Sequence, residues 1–285
     1  VPPRGRVPPR TGPVMSDPLN RALDAAAGAG TLLVALDFDG TVAPFTERPE
    51  DSRPLPAAQR ALDALAGLPR TTVAVVSGRP LEFLRTVVDP QRRMVLSGSH
   101  GAEVDLGPAA RGGAEGHDAG HGGVVLGPEQ RALLERAVAA TRQIARSCPG
   151  AHVELKPAGV ALHTRPVKDP AAAQRALQQA AEAYCALPGL RVTPGQQVLE
   201  CSVLSATKGD GLDAIRAAVH PDVTVFAGDD VTDEDALAVL GPADVGIKVG
   251  ERESVAPWRV PDPAALSEVL ADLADRRARV LDGAG

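Results

Sequence analysis

At 285 residues the chain has room for one large domain or two modest ones. A hydrophobic content of 44% supports a packed core, and with 2% aromatic residues that core must be built from Ala, Val and Leu. A formal net charge of −6 argues against broad nucleic-acid binding, but leaves room for an anionic small substrate held by local cations, amides and metal.

No apolar run approaches the roughly 20 residues that span a bilayer. Cys148, Cys185 and Cys201 are far apart and lack Cys-x-x-Cys spacing, which fits a reducing cytoplasm. Residues 1–28 read as a disordered or weakly ordered tail. VPPRGRVPPRTGPV is proline-rich and basic, without the apolar stretch of a secretory signal.

From residue 29 short apolar runs alternate with alanine-rich segments of helical period. Thr31 to Leu36 reads as a buried strand, Ala57 to Leu68 as the helix after it, Thr71 to Val76 as a second strand, and LEFLRTVV as the start of the next helix. Met94 to Gly98 is a third strand and Val223 to Gly228 a later one, followed by helical DEDALAVL and the apolar run ADVGIKVG. Apolar strands separated by helices predict a parallel sheet covered on both faces.

The middle of the chain has a different grammar. A glycine-rich stretch after Gly107 reads as a flexible loop. A long helix begins at PEQRALL, and AHVELKPAGVALHTR reads as two strands joined by a Pro-Ala-Gly turn. A second helix opens with Asp169 as N-cap and Pro170 at its first position, and LRVTPGQQVLECSV is another hairpin. The expected architecture is a doubly wound α/β core over residues 29–106 and 198–285, with an α+β cap inserted at 107–197. His117 and His121, four apart, would face one metal only on a helix, and their glycine surroundings speak against that.

Four motifs stand at strand ends or helix starts. Asp37-Phe38-Asp39-Gly40-Thr41 follows a buried strand, so the two carboxylates can share one side while Phe38 turns to the core. Such a pair could bind a hard cation, one carboxylate attacking phosphorus and the other moving a proton. Ser77-Gly78-Arg79 offers a hydroxyl and free amides to a phosphate, though taken by itself the motif is better explained as a serine N-cap with a glycine turn. Lys208 before DGLDAIRAAV could neutralise phosphoryl oxygens. Finally, Asp229, Asp230, Asp233, Glu234 and Asp235 crowd one strand end; Asp229 is the best direct metal ligand, Asp233 could act through water or by orienting a neighbour, and Glu234 and Asp235 suit a helix start.

With these four motifs in this order, the chain resembles the haloacid dehalogenase superfamily of phosphatases. The resemblance implies Asp37 as nucleophile, Asp39 as general acid/base, Ser77 and Lys208 at the phosphoryl group, and Mg²⁺ held by Asp37, the Asp39 backbone carbonyl and Asp229, with Asp230 or Asp233 assisting. Ser97-Gly98-Ser99-His100-Gly101-Ala102-Glu103, GDDVTDEDA, Val153-Glu154-Leu155-Lys156 and His163-Thr164-Arg165 are similar to trehalose-6-phosphate phosphatases over about Leu32 to Val260. That resemblance implies sugar contacts from Glu154, Lys156 and Glu200, with His100 and Arg165 beside them, and a functional link to a trehalose-phosphate synthase. Glu154 and Lys156 could instead form a surface pair.

Two departures stand out: Thr164 where the family often carries Tyr, and Cys201-Ser202-Val203-Leu204 after Glu200 where relatives carry a basic-Pro pair. They leave open sucrose phosphate, mannosylphosphoglycerate or another sugar phosphate as substrate. A silent sugar-phosphate-binding regulatory subunit fits the complete set of motifs less well, and a phosphomutase would need a phosphorylated product to be retained and re-transferred.

Overall fold

A computed structural model describes residues 17–107 and 126–283. The chain opens with α1 (Asp17–Gly28), β1 (Leu32–Leu36), α2 (Pro56–Ala66), β2 (Thr71–Val76), α3 (Leu81–Val87), β3 (Val95–Gly98) and β4 (Glu103–Asp105). Then come α4 (Pro128–Ser147), β5 (His152–Lys156), β6 (Gly159–His163), α5 (Pro170–Cys185), β7 (Arg191–Gly195) and β8 (Val198–Ser202). It closes with α6 (Lys208–Val219), β9 (Val223–Gly228), α7 (Asp233–Ala238), β10 (Val245–Val249), β11 (Trp258–Val260) and α8 (Pro263–Gly283).

Seven strands form the core sheet in the order β11-β10-β9-β1-β2-β3-β4, parallel except for the antiparallel β3–β4 edge. The two-residue period of β1 shows why it is buried on both faces. Leu32, Val34 and Leu36 pack with residues of α1, α2 and α8, whereas Leu33 and Ala35 pack with Leu212 and Ile215 of α6 and Ala236 of α7. This is the expected doubly wound α/β core.

The second unit is a four-stranded antiparallel sheet, β5-β6-β8-β7, with α4 and α5 on one face. Asp169 caps α5 by accepting from the Ala171 amide at 2.9 Å. Its core holds Val160, Leu162, Ala176, Ala180, Tyr184 and Cys201, and the Tyr184 hydroxyl meets Thr141 Oγ1 at 2.7 Å. The fold is the expected core with an α+β cap.

Two boundaries differ from the sequence reading. Residues 17–28, expected within a weak tail, form α1, whose Leu19, Leu23, Ala26 and Ala27 lie in the core. That spacing marks one helical face, and each buried leucine contributes about 1.5–3 kcal/mol. Arg277 of α8, 1% exposed, donates to the carbonyls of Ala27 at 2.9 Å and Arg70 at 3.1 Å and fixes the end of α1.

The cap also runs past residue 197. β8 pairs with β6 and β7, so residues 198–202 belong to the cap sheet. A hairpin cannot be cut between its strands without stranding backbone hydrogen bonds. The rest of the expected tail, the glycine-rich loop after Gly107, and His117 and His121 lie outside the described residues. Among the described residues no helix is long and apolar enough to cross a membrane.

Candidate active site

The parallel register brings β9, β1 and β2 to a common edge. Leu36 stands beside Ala227 on one side and Val75 on the other, and the Asp37 amide donates to the Ala227 carbonyl at 2.9 Å. Clefts in open α/β sheets lie beyond such carboxyl ends. Asp37 and Asp39 line the same cavity, of about 180 Å³, while Phe38 between them is fully buried. Gly40 turns the chain at φ +79°, and a Cβ there would run into the Asp229 carboxylate, so this position needs glycine twice over.

Lys208, the first residue of α6, is the charge centre. Its Nζ donates to Asp37 Oδ1 and to Asp233 Oδ1, both at 2.6 Å, and all three side chains are at most 4% exposed. A capping box holds the helix start: Thr207 Oγ1 accepts from the Asp210 amide at 3.1 Å and Asp210 Oδ2 from the Thr207 amide at 2.8 Å. Asp233 Oδ2 meanwhile accepts from the amides of Asp229 at 2.9 Å and Asp230 at 2.8 Å, so this carboxylate shapes the loop it belongs to. Thr41 Oγ1 donates to Asp37 Oδ2 at 3.2 Å.

Asp37, Asp229 and Asp233 bring carboxylate oxygens within 4.8 Å of one another. Three acids face one lysine, and burial makes the surplus expensive. Burial, then repulsion from Asp233 and Asp229, pushes Asp37 well above the usual carboxylate range despite Lys208. Asp229 is pushed up to about 7 by burial and then by Asp233. Burial pulls Lys208 down, but Asp233 and Asp37 outweigh it and hold the ammonium charged. A divalent cation would balance this set, and hard carboxylate oxygens suit magnesium. The Asp230 carboxylate does not join the cluster: it pairs with Arg252, which draws it away. Nor does the Asp39 carboxylate, which Arg79 holds.

Ser77, 2% exposed, lines the cavity with Gly78 and Arg79. Its Oγ accepts from the Arg79 amide at 3.2 Å. His100 arrives from the turn after β3 with a left-handed backbone, φ 56°, next to Ser99 at φ 50°. Two such residues in succession store strain of order 1–3 kcal/mol each. His100 Nε2 lies 3.1 Å from Glu200 Oε1 without hydrogen-bond alignment, and neither ring nitrogen has a hydrogen-bond partner among the described residues. Burial lowers its pKa against the pull of Glu200, favouring the neutral ring.

The cap's open sheet face closes the other side. Glu154 stands opposite Ala161, which in turn stands opposite Glu200, so a small residue separates two acids. Glu154 Oε2 lies 2.8 Å from His163 Nε2, and Lys156 pairs with Glu200. Burial raises Glu200, but it ends well below the usual carboxylate range, with the charge of Lys156 the main pull; His163 and Lys156 together outweigh burial for Glu154. Glu154 and Lys156 are therefore not a mutual surface pair. Arg165 lines the cavity, yet its Nη1 donates to the Thr46 carbonyl of the core at 2.8 Å and its guanidinium sits 5.6 Å from the Phe45 ring centre. Thr164 is buried and bonds the Gln197 carbonyl through its amide at 2.8 Å and its hydroxyl at 3.1 Å.

The trehalose-phosphatase family model matches residues 35–264. The chain belongs to that family. It is 37% identical over 259 residues to an uncharacterized glycosyl hydrolase of Mycobacterium tuberculosis, covering 85% of this chain and 18% of that protein. It is 34% identical over 263 residues to the trehalose-phosphate phosphatase of Mycobacterium marinum, covering 85% of this chain and 61% of the relative. The chain thus spans less than two thirds of these relatives' length. In fold it is similar to the C-terminal domain of the C. albicans trehalose-6-phosphate phosphatase, with a TM-score of 0.74, 21% identity, and coverage of 92% of this chain and 98% of that one.

Within this family fold the cavity gathers Asp37, Asp39, Ser77, Gly78, Arg79, His100, Glu154, Lys156, Arg165, Glu200, Lys208, Asp229 and Asp230, all foreseen from sequence; Asp233 sits behind it on Lys208. The sequence reading assigned no role to His163, Thr41, Phe45 or Thr46. His163 was within reach: the hairpin register puts residues 152, 154, 156, 159, 161 and 163 on one face. Phe45 and Thr46 carry no pattern, since only the folded cap brings Arg165 to them.

Proposed function

We propose that this protein is a magnesium-dependent phosphatase that hydrolyses trehalose 6-phosphate to trehalose and inorganic phosphate, the last step of trehalose synthesis. The observation that carries the reading is Lys208 bridging Asp37 and Asp233 at 2.6 Å each, in a cavity whose opposite wall is the Glu154, Lys156 and Glu200 face of the cap. Asp37, Asp229 and the Asp39 carbonyl would hold magnesium, with Asp233 supporting through Lys208 and the loop amides. When bound, the ion would offset carboxylate and phosphate charge.

The chain's own groups supply the rest. Ser77 and the Gly78 amide receive phosphoryl oxygens, and Lys208 offsets negative charge beside Asp37. The Asp37 carboxylate forms a bond to phosphorus as the ester P–O bond breaks, and Asp39 gives its proton to the departing sugar oxygen. Asp39 then takes a proton from the water that attacks phosphorus, and the Asp37–phosphorus bond breaks. The cap excludes bulk water and holds sugar hydroxyls by charge-assisted hydrogen bonds to Glu154, Lys156 and Glu200. The family membership and the mycobacterial relative's name support trehalose 6-phosphate.

A second reading keeps the chemistry and changes the sugar. Thr164, bonded to Gln197, and the run after Glu200 are where the cap departs from the family pattern. Purified protein with magnesium, offered trehalose 6-phosphate beside sucrose phosphate, mannosylphosphoglycerate and glucose 6-phosphate, separates the two. Selective phosphate release from the trehalose ester, abolished by EDTA, is the expected result; equal rates on all esters would sink the assignment. A link to a trehalose-phosphate synthase and a cytoplasmic location, suited to the free thiols of Cys148, Cys185 and Cys201, belong to the same proposal.

A further inference from the structure

The sequence pattern grouped Arg79 with Ser77 and Gly78 as a phosphate ligand, but its guanidinium is committed elsewhere. Nε donates to Asp39 Oδ2 at 2.6 Å and Nη2 to Asp39 Oδ1 at 2.8 Å. This is a fork-on-carboxylate pair, the geometry that fixes a carboxylate's plane as well as its position. Ser52, fully buried, adds a third hydrogen bond, donating through Oγ to Oδ1 at 2.9 Å.

The fork is itself held. Arg79 Cζ lies 4.8 Å from the centre of the Phe83 ring, and Phe83 meets Phe38 edge to face at 5.8 Å. Phe38 is the buried residue between the two aspartates, so the chain segment and its clamp share one packed unit. Turning Arg79 toward a phosphoryl group on Asp37 would break both bonds to Asp39 and lift the cation from its ring. Arg79 pays for none of this by gaining solvent, since its side chain is 12% exposed.

We propose that Arg79 is a positioning residue for Asp39, with Ser52 as its second grip, and not a ligand of the transferred phosphate. The proposal rests on the phosphatase reading above. Asp39 must meet the ester oxygen when it departs and the water when it enters, so its carboxylate needs a fixed plane. Loss of the clamp harms the steps in which a proton moves and spares phosphate binding.

Leaving-group dependence tests this. A 4-nitrophenolate departs without a proton, whereas a sugar alkoxide requires one. With magnesium present, kcat/KM is measured on trehalose 6-phosphate and on 4-nitrophenyl phosphate for wild type, Arg79→Met, Arg79→Lys, Ser52→Ala and Asp39→Asn. Arg79→Met should lose about 10²-fold on the sugar ester and under about fivefold on the aryl ester. Ser52→Ala, which removes one neutral donor, should lose about two- to tenfold with the same preference. Arg79→Lys keeps the charge without the fork and should fall between wild type and Arg79→Met. Inhibition by inorganic phosphate should be unchanged.

Equal losses on both esters, or weaker inhibition by phosphate in Arg79→Met, would overturn the proposal and return Arg79 to the phosphate. Thermal unfolding checks that each variant is folded, and Ser52→Ala carries the test should Arg79→Met unfold. If wild type releases phosphate from neither ester, the phosphatase reading itself falls.

Discussion

The two walls of the cavity handle charge in opposite ways. On the core wall Asp37, Asp229 and Asp233 crowd around one lysine, and Asp37 and Asp229 are pushed up in pKa by burial and mutual repulsion. On the cap wall each acid already has a partner, Glu154 in contact with His163 at 2.8 Å and Glu200 paired with Lys156, and both glutamates are pulled down. A wall with surplus negative charge calls for a cation and stores the means to stabilise a charged transition state. A wall of satisfied pairs calls for neutral hydroxyls that exchange hydrogen bonds without adding charge. In the proposed reaction, chemistry and recognition are thus divided between two sheets of different type.

The largest effect should come from the core wall. Asp37→Asn removes the carboxylate oxygen proposed to attack phosphorus, and phosphate release should fall by about 10⁴-fold or more. A phosphate-release assay checks this, and residual turnover within tenfold of wild type would break the contrast. Lys208→Met comes next. It leaves Asp37 and Asp233 buried without their cation, which should cost about 3–5 kcal/mol of stability as well as most of the activity. Chemical denaturation and turnover together test it, and an unchanged midpoint would mean that Lys208 does not balance the acids.

The cap wall should respond more gently and selectively. Glu200→Gln should weaken kcat/KM for the sugar phosphate by about ten- to a hundredfold, while 4-nitrophenyl phosphate, which has no sugar, changes little. Equal losses on both substrates would place Glu200 in the chemistry and erase the division between walls.

The smallest effect concerns pH and metal. A carboxyl whose folded pKa lies above its unfolded value binds more protons when folded, so stability falls as pH rises between the two values. Asp229, pushed up to about 7, should make metal-free protein less stable as pH rises from about 4 to 7. Magnesium, binding the ionised form, should raise the melting temperature by a few degrees more at pH 8 than at pH 5. Calorimetry with and without the ion checks it, and a pH-independent metal shift would refute the titrating cluster.

Much of this was legible in the sequence because it depends on local pattern. Apolar runs such as TLLVAL, N-caps such as Asp169, and short acidic motifs at strand ends signal their structure within a few residues. Membership of the parallel sheet followed from strands separated by helices, and that sheet alone aligns Asp37, Ser77 and Asp229 at one edge. Tertiary structure decided the partners. The sequence could not say that Asp230 would turn to Arg252, that Arg79 would grip Asp39, or that α1 would be pinned by Arg277 from 250 residues away. The cap boundary likewise rested on β8 pairing with β6, a choice between two possible sheets. Period and caps are written in neighbours along the chain, whereas ion pairs and strand partners are settled by which distant groups meet once water is excluded.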